Sequence, residues 1–276
     1  MVLIVSESSD HSTNDVIDWL RFYKVQYLRI NEYDMIKIDN VNINCSSDVN
    51  ITFSVNGGKS INTNQISAYW FRRGFFNFFD VDSIGLQFKN KEIENKVTRN
   101  LKSEVLKIGD LFQHILEKKN KVGSSYTADN NKLIHQLIAR TSGLETPISI
   151  ICTSKVQLKQ FYVNHSLGII TKPISDTLSV IENNKYYNLY TNVITEKDIE
   201  LFPEFFYPTL VQEKIEKKYE VRSFFLKNKF YSMAIFSQND EKTKVDFRRY
   251  NRQKQNYRVP FNLPSEIKNK LRNLCG

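Results

Sequence analysis

At 276 residues, 41% of them hydrophobic with 19 Phe and 14 Tyr, the chain is too long for one small core and too apolar for disorder, and it suits two or three subdomains. No window approaches the roughly 18 uninterrupted apolar residues of a membrane helix, and the opening Met1 to Val5 lacks the basic region and cleavage site of a signal peptide, so a cytoplasmic protein without membrane association is expected. The formal charge of +9 suits nucleic acid, an anionic cofactor or an acidic partner; with no helix-turn-helix, RNP or Cys/His finger pattern, nucleic acid is not the expected partner.

Val2 to Val5 reads as a buried parallel strand, Ser6 to Asp10 turn into a helix carrying Val16, Ile17, Trp19, Leu20 and Tyr23, and Val25 to Ile30 is a second strand. That order predicts a right-handed βαβ start. Strand-like segments at Val49 to Val55 and Ile66 to Phe71 are broken by Asn56-Gly57-Gly58 as a turn. Gly57-Gly58-Lys59-Ser60 resembles the end of a phosphate loop, but the loop's first glycine would fall on Phe53, so the turn is preferred. Trp70 to Phe79 sets Arg72 and Arg73 among aromatics. Either the aromatics pack a seam with the arginines stacked on them, or the guanidinium groups clamp carboxylates beside a peptide groove.

Ile93, Val97, Leu101, Val105, Ile108, Phe112 and Ile115 predict a long amphipathic helix over Lys91 to Lys119, with its stripe in a core and the polar Lys118 to Asn131 as a boundary. Asn131-Lys132 opens a helix that ends at Ser142-Gly143. Strand Ile148 to Cys152, a helix near Val156 to Phe161 and strand Gly168 to Lys172 follow, then strands flanking Asn183-Asn184. Val221 to Leu226 and Phe230 to Phe236 predict a hairpin across Lys227-Asn228-Lys229.

Chemistry-bearing patterns are sparse. His11, His114, His135 and His165 have no metal-ligand spacing, Cys45, Cys152 and Cys275 make neither a disulfide framework nor a thiolate site, and no serine nucleophile elbow is present. The stretch Gln212-Glu213-Lys214-Ile215 followed by Tyr219-Glu220-Val221-Arg222 is the exception. Adenine asks for a backbone acceptor and a backbone donor, and alternate residues of an extended segment, such as Glu213 and Ile215, face the same way. Glu220 would accept both ribose hydroxyls and Arg222 suits a phosphate oxygen. A surface strand with solvated charges accounts for the same spacing.

Six motifs in order carry a resemblance over essentially the whole chain: Tyr69-Trp70-Phe71-Arg72-Arg73; Asn130-Asn131-Lys132 with Gln136, Ala139, Gly143-Leu144 and Pro147; Ile170-Thr171-Lys172-Pro173; Gln212 to Ile215; Tyr219 to Arg222; and Asp246-Phe247-Arg248-Arg249-Tyr250. Together they resemble an ATP-grasp ligase, and more closely the peptide macrocyclases that mature microviridin-like graspetides, including the grasp-with-spasm maturases. The implied fold is α/β (α+β), an ATP-grasp fold with a pre-ATP-grasp domain at 1–120, a lid subdomain at 121–206 and a nucleotide-binding subdomain at 207–276, the C-terminal part being truncated.

The resemblance implies that Lys132 and Lys172 reach the ATP phosphates, that Gln212, Glu213, Ile215 and Glu220 hold base and ribose, and that Arg222, Arg248 and Arg249 serve the catalytic side. Arg72 and Arg73 fall to peptide binding. The implied activity forms side-chain ester or amide crosslinks in a ribosomal precursor peptide, with a leader and an acidic, Thr- and Lys-containing core, through an acyl phosphate and with ATP and Mg²⁺. A homodimer is compatible with it. Two features depart from the pattern: Ile174 to Ser179 contains no lid glycine, and the magnesium ligands are expected just past Gly276, so no metal ligand is assigned and poor turnover is expected. An amino-acid ligase acting on a protein tail and a non-catalytic peptide-binding remnant are the alternatives.

Overall fold

The computed structural model describes residues 1–44, 49–78, 85, 87–127, 131–175, 179–183, 185–249, 251 and 253–275. Cys45, Phe79, Asn130, Asn184, Tyr250 and part of the glycine-free stretch, 176–178, lie outside them. The chain divides into two compact units, Met1–Asp129 and Asn130–Gly276. No helix among the described residues is long and apolar enough to cross a membrane.

In the first unit, β1 (Val2–Val5) leads through α1 (His11–Phe22) to β2 (Tyr27–Ile30). Next come β3 (Met35–Ile43), β4 (Val49–Val55), β5 (Ile61–Asn62), β6 (Ala68–Phe71), β7 (Asn77–Phe78), α2 (Lys91–Glu117) and β8 (Asn120–Val122). One sheet, in the order β2-β1-β6-β8, is parallel throughout, which is why the inner strand β1 is almost wholly apolar and buried. The other, β5-β4-β3-β7, is mixed. Asn56 (φ +51°) and Gly57 (φ +70°) make the turn after β4. The phosphate-loop likeness at Gly57 is therefore a turn.

Asp10 starts α1 by accepting the Thr13 N–H at 3.1 Å, and Asn90 starts α2 by accepting the Glu92 N–H at 2.8 Å. The C-terminal part of α2 enters the core: the Phe112 ring lies 4.9 Å from Phe53 and 5.3 Å from Phe76, beside buried Leu116, Tyr69 and Leu3. Its N-terminal half departs from the expected core stripe, with Ile93 exposed and Val97, Leu101 and Val105 half-buried. On α1, Trp19, Phe22 and Tyr23 are exposed and pack on one another.

The second unit opens with α3 (Lys132–Thr141), β9 (Ser149–Ser154), α4 (Lys155–Val163), β10 (Ile169–Thr171), β11 (Ser179–Glu182) and β12 (Lys185–Asn188). It continues with β13 (Asn192–Ile194), α5 (Glu196–Leu201), β14 (Phe205–Glu213), β15 (Glu220–Leu226), β16 (Lys229–Phe236), β17 (Tyr257–Pro260) and α6 (Ser265–Cys275). An antiparallel sheet, β13-β10-β14-β9, buries Cys152, Leu158, Phe161, Ile169, Ile199 and Val211 with α4 and α5. The β14–β9 register shifts between Phe205 and Thr209, the interval holding Pro208, which has no N–H to give a ladder. A second sheet, β15-β16-β17, turns between its first two strands at Lys227 (φ +44°) and Asn228 (φ +64°).

Candidate functional site

β14 ends at the wall of a cleft of about 580 Å³ whose lining includes apolar Pro147, Ile170, Val193 and Ile215. A recess of about 300 Å³ shares Pro147, Lys172 and Gln212 with it and adds Lys132 and Gln136. Both lie within the second unit.

The backbone at the end of β14 follows from ladder geometry, because the N–H and C=O of one residue in an antiparallel strand face the same neighbour. The Glu213 N–H donates to the Ile148 carbonyl at 2.9 Å, on the β9 side, and the Lys214 N–H donates to the Gly168 carbonyl at 2.9 Å, on the β10 side. Alternation beyond the end of β14 returns Ile215 to the β9 side, where the register continues to Thr146, ahead of the start of β9. Glu213 and Ile215 thus share one edge facing the cleft, the arrangement a flat ring with a donor and an acceptor would use.

Glu220, at the start of β15, is anchored rather than solvated. Its Oε1 accepts from Lys217 Nζ at 2.7 Å and from Ser237 Oγ at 2.8 Å, and Lys217 also donates to the Val245 carbonyl at 3.1 Å. Arg222, two positions on and so on the same strand face, lies with its guanidinium carbon 4.6 Å from the centre of the Phe247 ring.

Three cations meet at Lys172. Burial is the first cause pushing its ammonium below the ordinary lysine value, and the charges of Lys132 and Arg248 push it the same way, against Asp246. Lys132, the first residue of α3 behind its Asn131 cap, donates to the Ile174 carbonyl at 3.3 Å and to the Ser175 carbonyl. Arg248 is held by Asp246 through Nε at 2.8 Å and Nη2 at 2.6 Å. Burial alone would raise the Asp246 carboxyl, but hydrogen bonds from Arg248 and from the Thr191 N–H outweigh it and hold the acid well below the usual carboxylate range.

The other arginines are placed differently. Arg249 turns away from Arg248, donating to the Thr191 carbonyl at 3.4 Å and to Asn192, with Tyr190 5.3 Å away. In the first unit, Arg72 pairs with Asp10 at 3.3 Å, and Arg73 with Asp10 at 3.1 Å and Glu7 at 3.1 Å. Those two guanidinium groups follow β6 and face carboxylates that follow β1, with the Asp10 side chain only 4% exposed. Among the described residues no group of three or more His, Cys, Asp or Glu side chains could hold a metal ion.

Asp246, Lys217, Ser237 and Gln136 have no assigned role in the sequence alone. The one signal was the placing of Asp246 two residues before Arg248, a spacing at which a carboxylate reaches both the guanidinium and the Arg248 N–H, here at 3.1 Å.

No protein-family model matches the chain, and no curated protein matches it in sequence. Solved structures do match. A Chryseobacterium gregarium RiPP-associated ATP-grasp ligase, solved with ADP and a leader and core peptide, superposes with a TM-score of 0.72 at 21% identity over 99% of this chain and 80% of its own. The macrocyclase MdnC from Microcystis aeruginosa MRC, bound with precursor peptide MdnA, gives 0.68 at 20% identity over 99% and 82%. The ATP-grasp ligase PsnB, complexed with a minimal precursor, Mg and ADP, gives 0.63 at 15% over 99% and 79%. The chain has the fold of these ATP-grasp ligases.

Proposed function

We propose that the chain is an ATP-dependent ligase that joins carboxylate side chains of a ribosomally made precursor peptide to hydroxyl or amine side chains of the same peptide. The observation that carries this reading is that Lys132 and Lys172 line one recess, with Arg248 near enough for its charge to depress Lys172, beside a cleft lined by Glu213 and Ile215. Asp246 offsets the Arg248 charge, but Lys132 and Lys172 lie together with no carboxylate paired to Lys172 among the described residues, and a polyanion between them would offset that cost. A nucleoside triphosphate has that charge and a base for the edge.

In this reading the base lies along Glu213 and Ile215 in the stretch opened by Gln212, Glu220 takes the ribose, and Lys132 and Lys172 hold the phosphates. A peptide carboxylate attacks the γ-phosphorus, ADP leaves, and the resulting acyl phosphate is attacked at carbon by a hydroxyl or amine with release of phosphate, so each link removes one water. Negative charge grows on phosphoryl oxygens in the first step and on the carbonyl oxygen in the second. Arg248, fixed by Asp246, and Arg222 are the groups assigned to it, with Arg249 further off at Asn192. The likeness to a ligase solved with Mg and ADP supports ATP and Mg²⁺ as the cofactors, and no step is assigned to the metal.

Arg72 and Arg73 are assigned to peptide carboxylates: their orientation is fixed by Asp10, yet Arg73 keeps 46% of its side chain exposed. The fold likeness to ligases solved with precursor peptides supports a leader-bearing peptide with an acidic, Thr- and Lys-containing core as the partner. Such a core also complements the +9 charge.

The test is the mass of a precursor peptide encoded beside the gene after incubation with this chain and ATP. Loss of one water per crosslink is expected, with Lys172→Ala and Arg248→Ala each slowing it by about 100-fold or more. Retained crosslinking in both variants would remove the assignment, and a gain in peptide mass would identify a ligase that adds an amino acid instead.

A further inference from the structure

Strand β9 is the last of its sheet, and its outer edge is open. The Glu213 N–H donates to the Ile148 carbonyl, so residues 148, 150 and 152 spend their backbone groups on β14, in register with 213, 211 and 209. Alternation turns the N–H and C=O of Ser149 and Ile151 the other way, where the order β13-β10-β14-β9 supplies no further strand. The Thr153 N–H also points outward and is closed by Gln157 Oε1 at 3.1 Å. Natural sheets guard an exposed edge with a charge, a proline or a bulge. Ser149-Ile150-Ile151-Cys152-Thr153-Ser154 holds neither charge nor proline, and its register with β14 is unbroken from Ser149 to Cys152.

A hollow lies on each face of that edge. On the α3 side, about 210 Å³ is walled by Leu133, Leu137, Ile151 and Leu210, with Arg140 beside them. Arg140 donates through Nε to Thr146 Oγ1 at 2.5 Å, and no carboxylate pairs with it among the described residues. On the α4 side, about 280 Å³ is lined by Ile150, Phe161 and three amides, Gln157, Gln160 and Asn164. Ile151 itself is 41% exposed, which leaves apolar surface on the strand uncovered. Successive side chains of a strand point to opposite faces, so a strand laid along β9 would send one side chain toward the aliphatic hollow and the next toward the amide-lined one.

We propose that the outer edge of β9 takes an extended segment of the precursor peptide as an added strand. Ser149 and Ile151 exchange backbone hydrogen bonds with it, an aliphatic side chain enters the α3-side hollow, and the amide or hydroxyl side chain next in line enters the α4-side hollow. An acidic side chain two residues from the aliphatic one, and so on the same face, meets Arg140. The proposal rests on the peptide-ligase reading above and deepens it with a docking edge whose two hollows are lined by none of the residues assigned to nucleotide, phosphate or acyl transfer. Charge selects this occupant over a second copy of the chain. Two β9 strands paired about Ile151 would set Ser149 against Thr153, side chains too small to fill either hollow, and the strand has no acid to offer Arg140. An acidic peptide has one, in keeping with the net charge of +9.

The experiment follows amide hydrogen exchange in the whole chain, with and without a saturating amount of the peptide encoded beside the gene. The peptide should slow exchange at Ser149 and Ile151 by about tenfold or more, while Ile150 and Cys152, already in the ladder with β14, change little. Ile151→Pro removes the outward N–H and no ladder bond, and should weaken the peptide by roughly fivefold. Leu137→Asp, at an exposed position on the wall of the α3-side hollow, should weaken it as well. Equal exchange at 149 and 151 in the two samples overturns the inference, whether or not the variants fold. So does protection that grows with protein concentration before any peptide is added, which would assign the edge to a second copy. Crosslinking without protection removes the docking edge and leaves the ligase reading; protection without crosslinking removes the ligase reading and leaves an edge that binds this peptide.

Discussion

Lys172 faces the cleft and makes no hydrogen bond or ion pair among the described residues. Its ammonium is depressed below the ordinary value of 10.5 by burial first and then by Lys132 and Arg248. Between the depressed value and 10.5 the unfolded chain binds more protons than the folded one, so this residue makes stability rise with pH through that window. Below the window both states are charged and the full cost of the buried cation is present. Lys172→Met should therefore be more stable than wild type near pH 7, by on the order of 1 kcal/mol, with the gap narrowing as pH approaches that of free lysine. Urea midpoints at the two ends of the range check this, and a less stable variant at neutral pH contradicts it. Lys132, Lys172, Glu220 and Arg248 stood out in the sequence through the ordered motifs that carry the resemblance. Asp246 and Lys217 had no assigned role, since a carboxylate two or three residues from a cation reads the same whether solvated or buried; only burial distinguishes the clamp on Arg248.

Among elements, those with caps were legible to within a few residues. Asn90 and Asn131 announce α2 and α3 because a short side-chain acceptor satisfies the first free N–H groups of a helix, and Lys227-Asn228 announces a turn that needs two positive φ values. Strand β8, Asn120–Val122, has no such mark. It is a three-residue edge strand, exposed throughout and paired with β6, inside the polar stretch that reads in the sequence only as a boundary. Strand β3 was also unread, because Asp39-Asn40 interrupts its alternation where the register shifts against β4. Just after β8, Gly123 (φ +73°) passes so close to β6 that a Cβ would stand 2.2 Å from the Phe71 carbonyl oxygen, whereas Gly57 (φ +70°) has nothing within 4 Å of its own. Gly57→Ala should cost about 1 kcal/mol, the left-handed backbone term alone. Gly123→Ala adds a backbone clash and should cost about 3 kcal/mol or more. Thermal unfolding of the two variants compares them, and equal losses would mean that the approach of residue 123 to β6 does not hold in solution.

At the scale of the whole molecule, each unit has its own core, one centred on Phe112 and Tyr69 and the other on Leu158, Ile169 and Val211. The fold class was readable because strands and helices alternate with their apolar residues in phase; the internal grouping of the sheets was not, since short strands do not name their partners. The net charge of +9 attracts any polyanion at long range and is screened by salt, so charge alone does not show where a nucleotide sits. What distinguishes a site from a field is dependence on particular cations. The direct measurement is the affinity of ADP and of adenosine, by calorimetry at physiological salt, for the wild type and for Lys132→Ala, Lys172→Ala and Arg248→Ala. Each substitution should weaken ADP by roughly tenfold or more while leaving adenosine, which has no phosphates, within about twofold of wild type. ADP affinity that survives all three changes, or falls no more than that of adenosine, would contradict the placement of the phosphates among these three side chains.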